Sequence, residues 1–282
     1  MAEILTDTEI AAWRGRFPEA FGRPLHQRLL RVATWLVGAA LVLAALWHID
    51  ADPRRLWNGL SKLGFLIRLM IPPGTGGALM EFLGGLLETV AMAFLGTLLA
   101  ALIALPLGFL GAKNIVPQVL FRFALRRGFD GMRAVDQLVW ALIFVAAVGM
   151  GPFAGILAIA AGDIGVFAKL FAEALENIDR RPVEGVRSVG AGRLTTLRYA
   201  VLPQVLPLFL SNALYLLESN TRSASILGIV GAGGIGLFLA DRIGANDWDV
   251  VATLVLMILV TVSLIDMVSA RLRRALTGPA VR

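Results

Sequence analysis

Residues 173–203 read EALENIDRRPVEGVRSVGAGRLTTLRYAVLP and form the longest charged stretch between the apolar runs of this 282-residue chain. Proline favours the start of a helix and glycine favours the position after its end, so the stretch predicts a first short helix over residues 182–190. A second helix is predicted over residues 195–201, ended by Pro203. An exposed, rigid pair of charged helices suits docking to a soluble partner.

The composition on either side of this stretch is that of a membrane protein. Hydrophobic residues make up 57% of the chain, charged residues 16%, and the mean hydropathy is +0.77, whereas soluble domains carry about 25% charged residues. A helix crosses the bilayer with about 20 apolar residues. The apolar runs therefore predict six membrane-spanning helices, at about residues 30–49, 86–110, 135–148, 152–171, 205–217 and 250–268.

Two further apolar segments do not fit a simple span. Residues 56–71 are interrupted by polar side chains and predict an interfacial helix on the outer membrane surface. Residues 226–239 contain five glycines and predict a re-entrant or broken helix. The run Gly-Met-Gly-Pro at residues 149–152 predicts a tight hairpin between the third and fourth spans.

The basic residues indicate the orientation of the spans. With both termini in the cytoplasm, 20 of the 26 Lys and Arg residues fall on the cytoplasmic side, as the positive-inside rule requires. This distribution accounts for the net charge of +6 without a nucleic-acid partner. The exception is the outer segment, with four basic residues: Arg54, Arg55, Lys62 and Arg68. Because the first 25 residues are mixed and polar, the first apolar run is expected to be an uncleaved anchor.

The charged stretch resembles the signature loop of the ABC-importer permease family. That signature pairs a Glu with a Gly six residues later and a Leu-Pro pair twelve and thirteen residues beyond the Gly. The residues at these spacings are Glu184, Gly190, Leu202 and Pro203. The chain departs from the usual pattern at Gly185, Val186 and Ala200, which changes residue types and leaves the spacing intact.

Within that family, the phosphonate importer permeases are the branch that the chain resembles over residues 86–272. The resemblance rests on residues 148–155, 182–187, 218–223 and 228–236. It implies an all-α membrane fold of about six helices, the MetI-like type I importer fold. The implied organisation, in chain order, is a cytoplasmic N-terminal segment, a first span with the external interfacial helix, the permease domain and a cytoplasmic tail, over residues 1–28, 29–85, 86–272 and 273–282.

The resemblance also implies a role for residues 173–203, here called the coupling loop. In the family this loop inserts into a groove of an ATPase subunit, and nucleotide-driven closure of the ATPase dimer alternates access to the path. The corresponding contact residues are Glu184, Gly185, Gly190, Ala191, Leu202 and Pro203. The implied partners are an ABC ATPase dimer, a second permease copy as a homodimer, an extracytoplasmic phosphonate- or phosphate-binding protein and membrane lipid. ATP and Mg²⁺ would be bound by the ATPase, with no cofactor in this chain.

Ionisable and polar side chains after the fifth span are candidates for the translocation path, because such groups are costly in a membrane and usually face a cavity. The candidates are Glu218, Asn220, Arg222 and Ser223. Arg222 could hold a phosphonate or phosphate oxyanion, with hydrogen bonds from Asn220 and Ser223. The alternative is a structural pair of Glu218 with Arg222, four residues apart on one helix face.

Residues 231–236 match the GxGxxG dinucleotide fingerprint through Gly231, Gly233 and Gly236, and Gly234 is a fourth glycine in the same run. That fingerprint needs a preceding strand and a βαβ unit, and here membrane spans flank it. The glycines therefore predict close helix contact or a re-entrant turn at a gate.

In the fourth span, Asp163 and Lys169 predict either a proton relay or, more commonly, paired helix-end charges.

Other functions have weaker support in the sequence. The chain has no Cys and only two His, which argues against disulfides and metal sites. Without HExxH, GxSxG or Walker lysine motifs, it is expected not to be an enzyme, and ATP hydrolysis must come from another subunit. An ion- or proton-coupled secondary transporter stays as the alternative, although paired inverted repeats are not evident. The expected location is the bacterial inner membrane, with both termini cytoplasmic.

Overall fold

The computed structural model describes residues 25–49 and 52–277, which are helical apart from short connections. The predicted N-terminal segment 1–28 and the tail 273–282 lie partly outside the described residues. In chain order the helices are α1 (Leu25–His48), α2 (Pro53–Leu69), α3 (Leu79–Gly111), α4 (Val119–Ala134), α5 (Gln137–Val148), α6 (Pro152–Glu176), α7 (Arg180–Ser188), α8 (Arg193–Thr196), α9 (Leu202–Leu227), α10 (Ile235–Ala245) and α11 (Trp248–Thr277).

The chain divides into two compact units, one up to Leu66 and one from Ile67. In the first unit, α1 offers a 20-residue apolar span over Leu29–His48 with none of its side chains buried. Such a surface needs lipid as its solvent. In the second unit four helices are long and apolar enough to cross a membrane, namely α3, α6, α9 with its N-terminal extension, and α11.

Small residues bring α3 and α6 into close contact at the centre of the second unit. A Cβ atom added at Gly96 would lie 2.7 Å from the Ile159 side chain, and one at Gly108 would lie 2.5 Å from Phe171. Helices in membranes associate through such small residues because backbone approach increases van der Waals contact. Phe171 also packs edge-on against Phe109, with ring centroids 5.1 Å apart.

The third predicted span, residues 135–148, is only half a span. The helix α5 has 12 residues and is bent by 86° from α4, an amphipathic helix that was not predicted. The chain breaks at Val135 in extended conformation, and the Asp136 side chain caps α5 by accepting a hydrogen bond from the Leu138 N–H at 2.8 Å. If this bent pair counts as one span, the described residues contain six.

The fifth predicted span, residues 205–217, extends ten residues further as α9, since residues 218–223 stay helical. The prediction that Pro203 ends the preceding helix is wrong, because α8 continues through a π-helical turn, Leu197–Val201, directly into α9. Proline lacks an N–H, and its ring crowds the carbonyl four residues earlier. The wider turn takes up that crowding, and the Leu202 N–H donates to the Leu197 carbonyl.

The predicted break over residues 226–239 is confirmed. Here α9 ends in a short 3-10 turn, Gly228–Val230, and α10 starts at Ile235. Gly231, Gly233 and Gly234 have φ angles of 93°, 84° and 74°. Residues that carry a Cβ atom disfavour this region, whereas glycine adopts it readily. Residues 228–236 are called the glycine hairpin below.

Candidate functional site

A buried polar network joins four helices in the interior of the second unit. Asn220 of α9 is 1% exposed. Its Nδ2 donates to Thr97 Oγ1 of α3 at 2.8 Å and to a carboxylate oxygen of Asp163 of α6. Gln137, the first residue of α5, donates from Nε2 to Asn220 Oδ1 at 3.0 Å and to Asp163 Oδ1 at 3.1 Å. Each polar group has a partner, as groups shielded from water require.

Three residues of this network, Gln137, Asp163 and Asn220, line a cavity of about 280 Å³. The other lining residues combine carboxylate, hydroxyl and apolar groups, and the full set is Asp136, Gln137, Leu138, Asp163, Leu216, Ser219, Asn220, Ser223, Ile226 and Leu227. Among these described residues there is no Lys or Arg. The cavity of a single copy can therefore solvate a polar solute by hydrogen bonding, but its two carboxylates disfavour a fixed anion.

Two of the four predicted path residues line this cavity, and two do not. Asn220 and Ser223 are in its wall. Glu218 pairs with Arg273 of α11, with Oε2 and Nη1 3.1 Å apart. The alternative pairing of Glu218 with Arg222 is therefore wrong, and Arg222 lies exposed on α9.

The prediction of paired helix-end charges in the fourth span is also wrong. Asp163 lies near the middle of α6, inside the network. Lys169 donates instead to Asp130 of α4 at 2.9 Å. Gln137 and Thr97 were not predicted as site residues. A polar Gln137 directly after Asp136, at the start of an apolar run, was a usable signal, whereas Thr97 inside α3 gives none.

The glycine hairpin is held by side chains of α3. Gly234 N–H donates to Glu88 Oε2 at 3.0 Å, and Ile235 N–H donates to Thr89 Oγ1 at 2.8 Å. These side chains cap the start of α10, whose first N–H groups have no partner within the helix. On its other side the hairpin accepts a hydrogen bond from the Gly151 N–H to the Gly231 carbonyl at 3.0 Å.

The four gate glycines predicted from the sequence all lie in this hairpin and are buried, namely Gly231, Gly233, Gly234 and Gly236. A Cβ atom at Gly236 would lie 2.0 Å from the Ser225 carbonyl oxygen, and one at Gly233 would lie 2.9 Å from Pro152 N. The glycines therefore permit contact of backbone with backbone. The dinucleotide fingerprint has no strand before it, since the described residues around it are helices and turns.

The coupling loop projects from the second unit. Asp179 caps α7 by accepting from the Arg181 N–H at 3.0 Å, and no residue of α7 is buried. Glu184 is exposed on this helix. Two exposed apolar side chains follow α7, namely Val189 directly after its end, at 82%, and Leu194 of α8, at 81%. Exposed apolar groups beside charged ones are typical of a protein-binding surface.

The remaining predicted loop residues have backbone roles or lie near the start of α9. Gly190 has a φ of 82°, which allows the chain to reverse after α7. Gly185 and Pro203 are exposed, whereas Ala191 and Leu202 are half-buried. Gln204 closes the base of the loop, because its side chain accepts from the Asp179 N–H at 2.9 Å and donates to the Asp179 carbonyl at 3.3 Å.

Comparison with curated proteins gives relatives along most of the chain. It is 38% identical over 265 residues to the phosphite transport system permease protein PtxC of Stutzerimonas stutzeri, an alignment that covers 94% of this chain and 95% of that protein. It is 37% identical over 251 residues to the putative phosphite transport system permease protein HtxC of the same organism, covering 89% of each. A third relative is the putative cryptic phosphonate transport system permease protein PhnE2 of Escherichia coli (strain K12), 50% identical over 110 residues, which are 39% of this chain and 90% of that protein.

Solved structures agree with these sequence relatives. The inward-facing methionine ABC transporter MetNI contains a chain that matches this one with a TM-score of 0.61 and 27% identity, over 72% of this chain and 99% of that one. The predicted MetI-like importer fold is thereby confirmed. The model of the family described as "binding-protein-dependent transport system inner membrane component" matches residues 104–278. This chain therefore belongs to that family of multi-pass membrane permeases.

Proposed function

We propose that this chain is the membrane-spanning subunit of an ATP-driven importer for phosphite, phosphonate or phosphate. Its family and its relatives support a permease role, and the names of those relatives support a phosphorus oxyanion as the substrate. The observation that carries the ATPase coupling is α7, a capped helix with no buried residue, followed by the exposed Val189 and Leu194. An unpartnered surface of this kind suits a groove in a soluble subunit.

In the proposed complex, Glu184 and the turn at Gly190 contact an ATPase that binds ATP and Mg²⁺. Closure of two ATPase subunits moves the two coupling loops together. The spans then alternate between inward-open and outward-open arrangements, while the glycine hairpin serves as part of the gate. A separate extracytoplasmic binding protein delivers the oxyanion, and both termini of this chain lie in the cytoplasm.

The path for the oxyanion lies between two permease copies in this proposal. The cavity of one copy is lined by carboxylates without a cation among the described residues, so it does not supply an anion site alone. Arg222 is exposed on α9 next to Ser219 and Ser223, two lining residues at one-turn spacing. A second copy facing this part of α9 would enclose Arg222, where its guanidinium can donate to phosphonate or phosphate oxygens.

We expect the substitution Glu184→Arg to remove the ATPase from the purified complex. The exposed carboxylate becomes a larger cation at the centre of the docking surface, and like or mismatched charges at an interface are strongly unfavourable. The recovery of ATPase per permease after purification in mild detergent should fall by about tenfold, and uptake with it. The measurement is the stoichiometry of all co-purifying subunits.

The matched control is Glu81→Arg, the same reversal at an exposed carboxylate in the first turn of α3, away from the coupling loop. It should retain one ATPase per permease. Uptake of phosphite, methylphosphonate and phosphate by reconstituted wild-type complex then identifies the substrate. If no ATPase accompanies the wild-type chain and uptake follows a proton gradient, the buried Asp163 indicates a proton-coupled transporter instead.

A further inference from the structure

The cytoplasmic end of α6 joins three helices through one carboxylate. Glu176 is the last residue of α6 and its side chain is 9% exposed. Its Oε1 accepts hydrogen bonds from Arg126 Nη2 of α4 and from the Lys113 N–H, the latter at 2.7 Å. Arg126 also donates from Nε to the Gly111 carbonyl at 3.1 Å. The ends of α3 and α6 are therefore fastened to α4 within the first residues of the coupling loop, just before α7.

The middle of α4 is held to α6 as well. Lys169 of α6 donates to Asp130 at 2.9 Å. Phe129, 2% exposed, leaves no room beside Gly165, because a Cβ atom there would lie 2.5 Å from the Phe129 carbonyl oxygen. Backbone contact and ion pairs at two successive turns hold α4 rigidly against the cytoplasmic half of α6.

The other end of α4 leads directly to the cavity. Only Val135 and Asp136 separate the end of α4 from Gln137. The Gln137 side chain reaches both Asp163 and Asn220 in the cavity wall. A displacement of α4 must therefore move the first residue of α5 or bend the chain further at these two residues.

Taken with the proposed function, on which it rests, this arrangement gives α4 a role. We infer that α4 transmits movement from the coupling loop to the cavity, because the Arg126–Glu176 pair fastens it to the base of the loop while its other end positions Gln137. Neither Arg126 nor Glu176 lines the cavity or lies on α7. Both are positioning residues, and their loss should separate ATP hydrolysis from transport without releasing the ATPase.

The test uses the complex of this chain with its ATPase in proteoliposomes, and the one oxyanion among phosphite, methylphosphonate and phosphate that the wild type imports. The readout is the number of anions imported per ATP hydrolysed. For Glu176→Ala and Arg126→Ala this ratio should fall about fivefold, with ATPase recovery unchanged. The double variant should lose less than the product of the two single losses, because both substitutions remove the shared Arg126–Glu176 pair. The control is Arg133→Ala, which removes an exposed arginine of the same helix that belongs neither to the Arg126–Glu176 pair nor to the Lys169–Asp130 pair, and it should retain the wild-type ratio.

Several results would overturn the inference. A purely structural pair would lower thermal stability and leave the ratio of import to hydrolysis unchanged. Losses that multiply in the double variant would mean that the two residues act separately. If the alanine variants cannot be purified, Glu176→Gln replaces them, because it keeps the shape and the acceptor oxygen and removes the charge. An unchanged ratio of import to hydrolysis in Glu176→Gln then refutes the role of α4. If the wild-type chain neither binds an ATPase nor imports the anion, the proposed function itself is refuted. If the wild type is active and the variants are unaffected, only the role of α4 is refuted.

Discussion

The substitution Gly236→Val should prevent the chain from reaching its folded state. The added Cβ would lie 2.0 Å from the Ser225 carbonyl oxygen and 2.9 Å from Gly228 Cα, so it meets backbone on the facing turn and not a side chain that can rotate away. The two sides of the hairpin cannot move apart easily, because Glu88 and Thr89 of α3 hold Gly234 and Ile235 through two hydrogen bonds. We expect the free energy of unfolding to fall by about 3 kcal/mol. The measurements are the yield of monodisperse protein and its melting temperature in detergent.

The control for this variant lies on the same helix. Gly244→Val adds the same side chain at a position where no atom lies within 4 Å of the new Cβ. Valine and glycine differ by a few tenths of a kcal/mol in helix propensity, so this variant should fold like the wild type. A Gly236→Val protein as stable as Gly244→Val would show that the hairpin does not pack as described.

The substitution Asn220→Leu should destabilise the second unit and abolish most transport. Leucine has nearly the same volume but removes the donors to Thr97 and Asp163 and the acceptor for Gln137. A buried carboxylate that loses a hydrogen-bond donor keeps its desolvation cost. We therefore expect the free energy of unfolding to fall by about 2 kcal/mol. In the proposed mechanism, uptake falls more than about tenfold, because the same side chain forms the cavity wall. Thermal unfolding in detergent and uptake in proteoliposomes measure the two effects.

An exchange of the two partners isolates the hydrogen bond between them. Asn220→Asp alone places a second carboxylate against Asp163, whereas Asn220→Asp combined with Asp163→Asn restores one amide beside one carboxylate. The double variant should recover about half of the decrease in melting temperature that Asn220→Asp causes. Recovery is incomplete because the Thr97 hydroxyl already donates to the Ala93 carbonyl. Additive losses in the double variant would contradict the direct contact.

The ends of two helices were not predicted correctly from adjacent residues. The polar run at residues 218–223 predicted an end to the fifth span, yet α9 continues to Leu227. The run tolerates helical conformation because Asn220 and Glu218 find partners on α6 and α11. Conversely, the apolar run at residues 135–148 predicted a full span, but Asp136 caps a helix there and α4 turns away by 86°.

Hydropathy and residue spacing were sufficient to identify a helical membrane protein, to locate most of its apolar helices and the glycine break, and to find the loop that carries the family signature. Those features depend on hydropathy and spacing between neighbouring residues, which the chain displays directly. The partners of the polar side chains became known from the folded arrangement: Asn220 bonds Thr97 from 123 positions away and Asp163 from 57, and Glu218 pairs with Arg273. In the spans, nearly every apolar side chain satisfies the hydrophobic requirement equally, so pairing is chosen by close packing and by the few polar groups that must find each other.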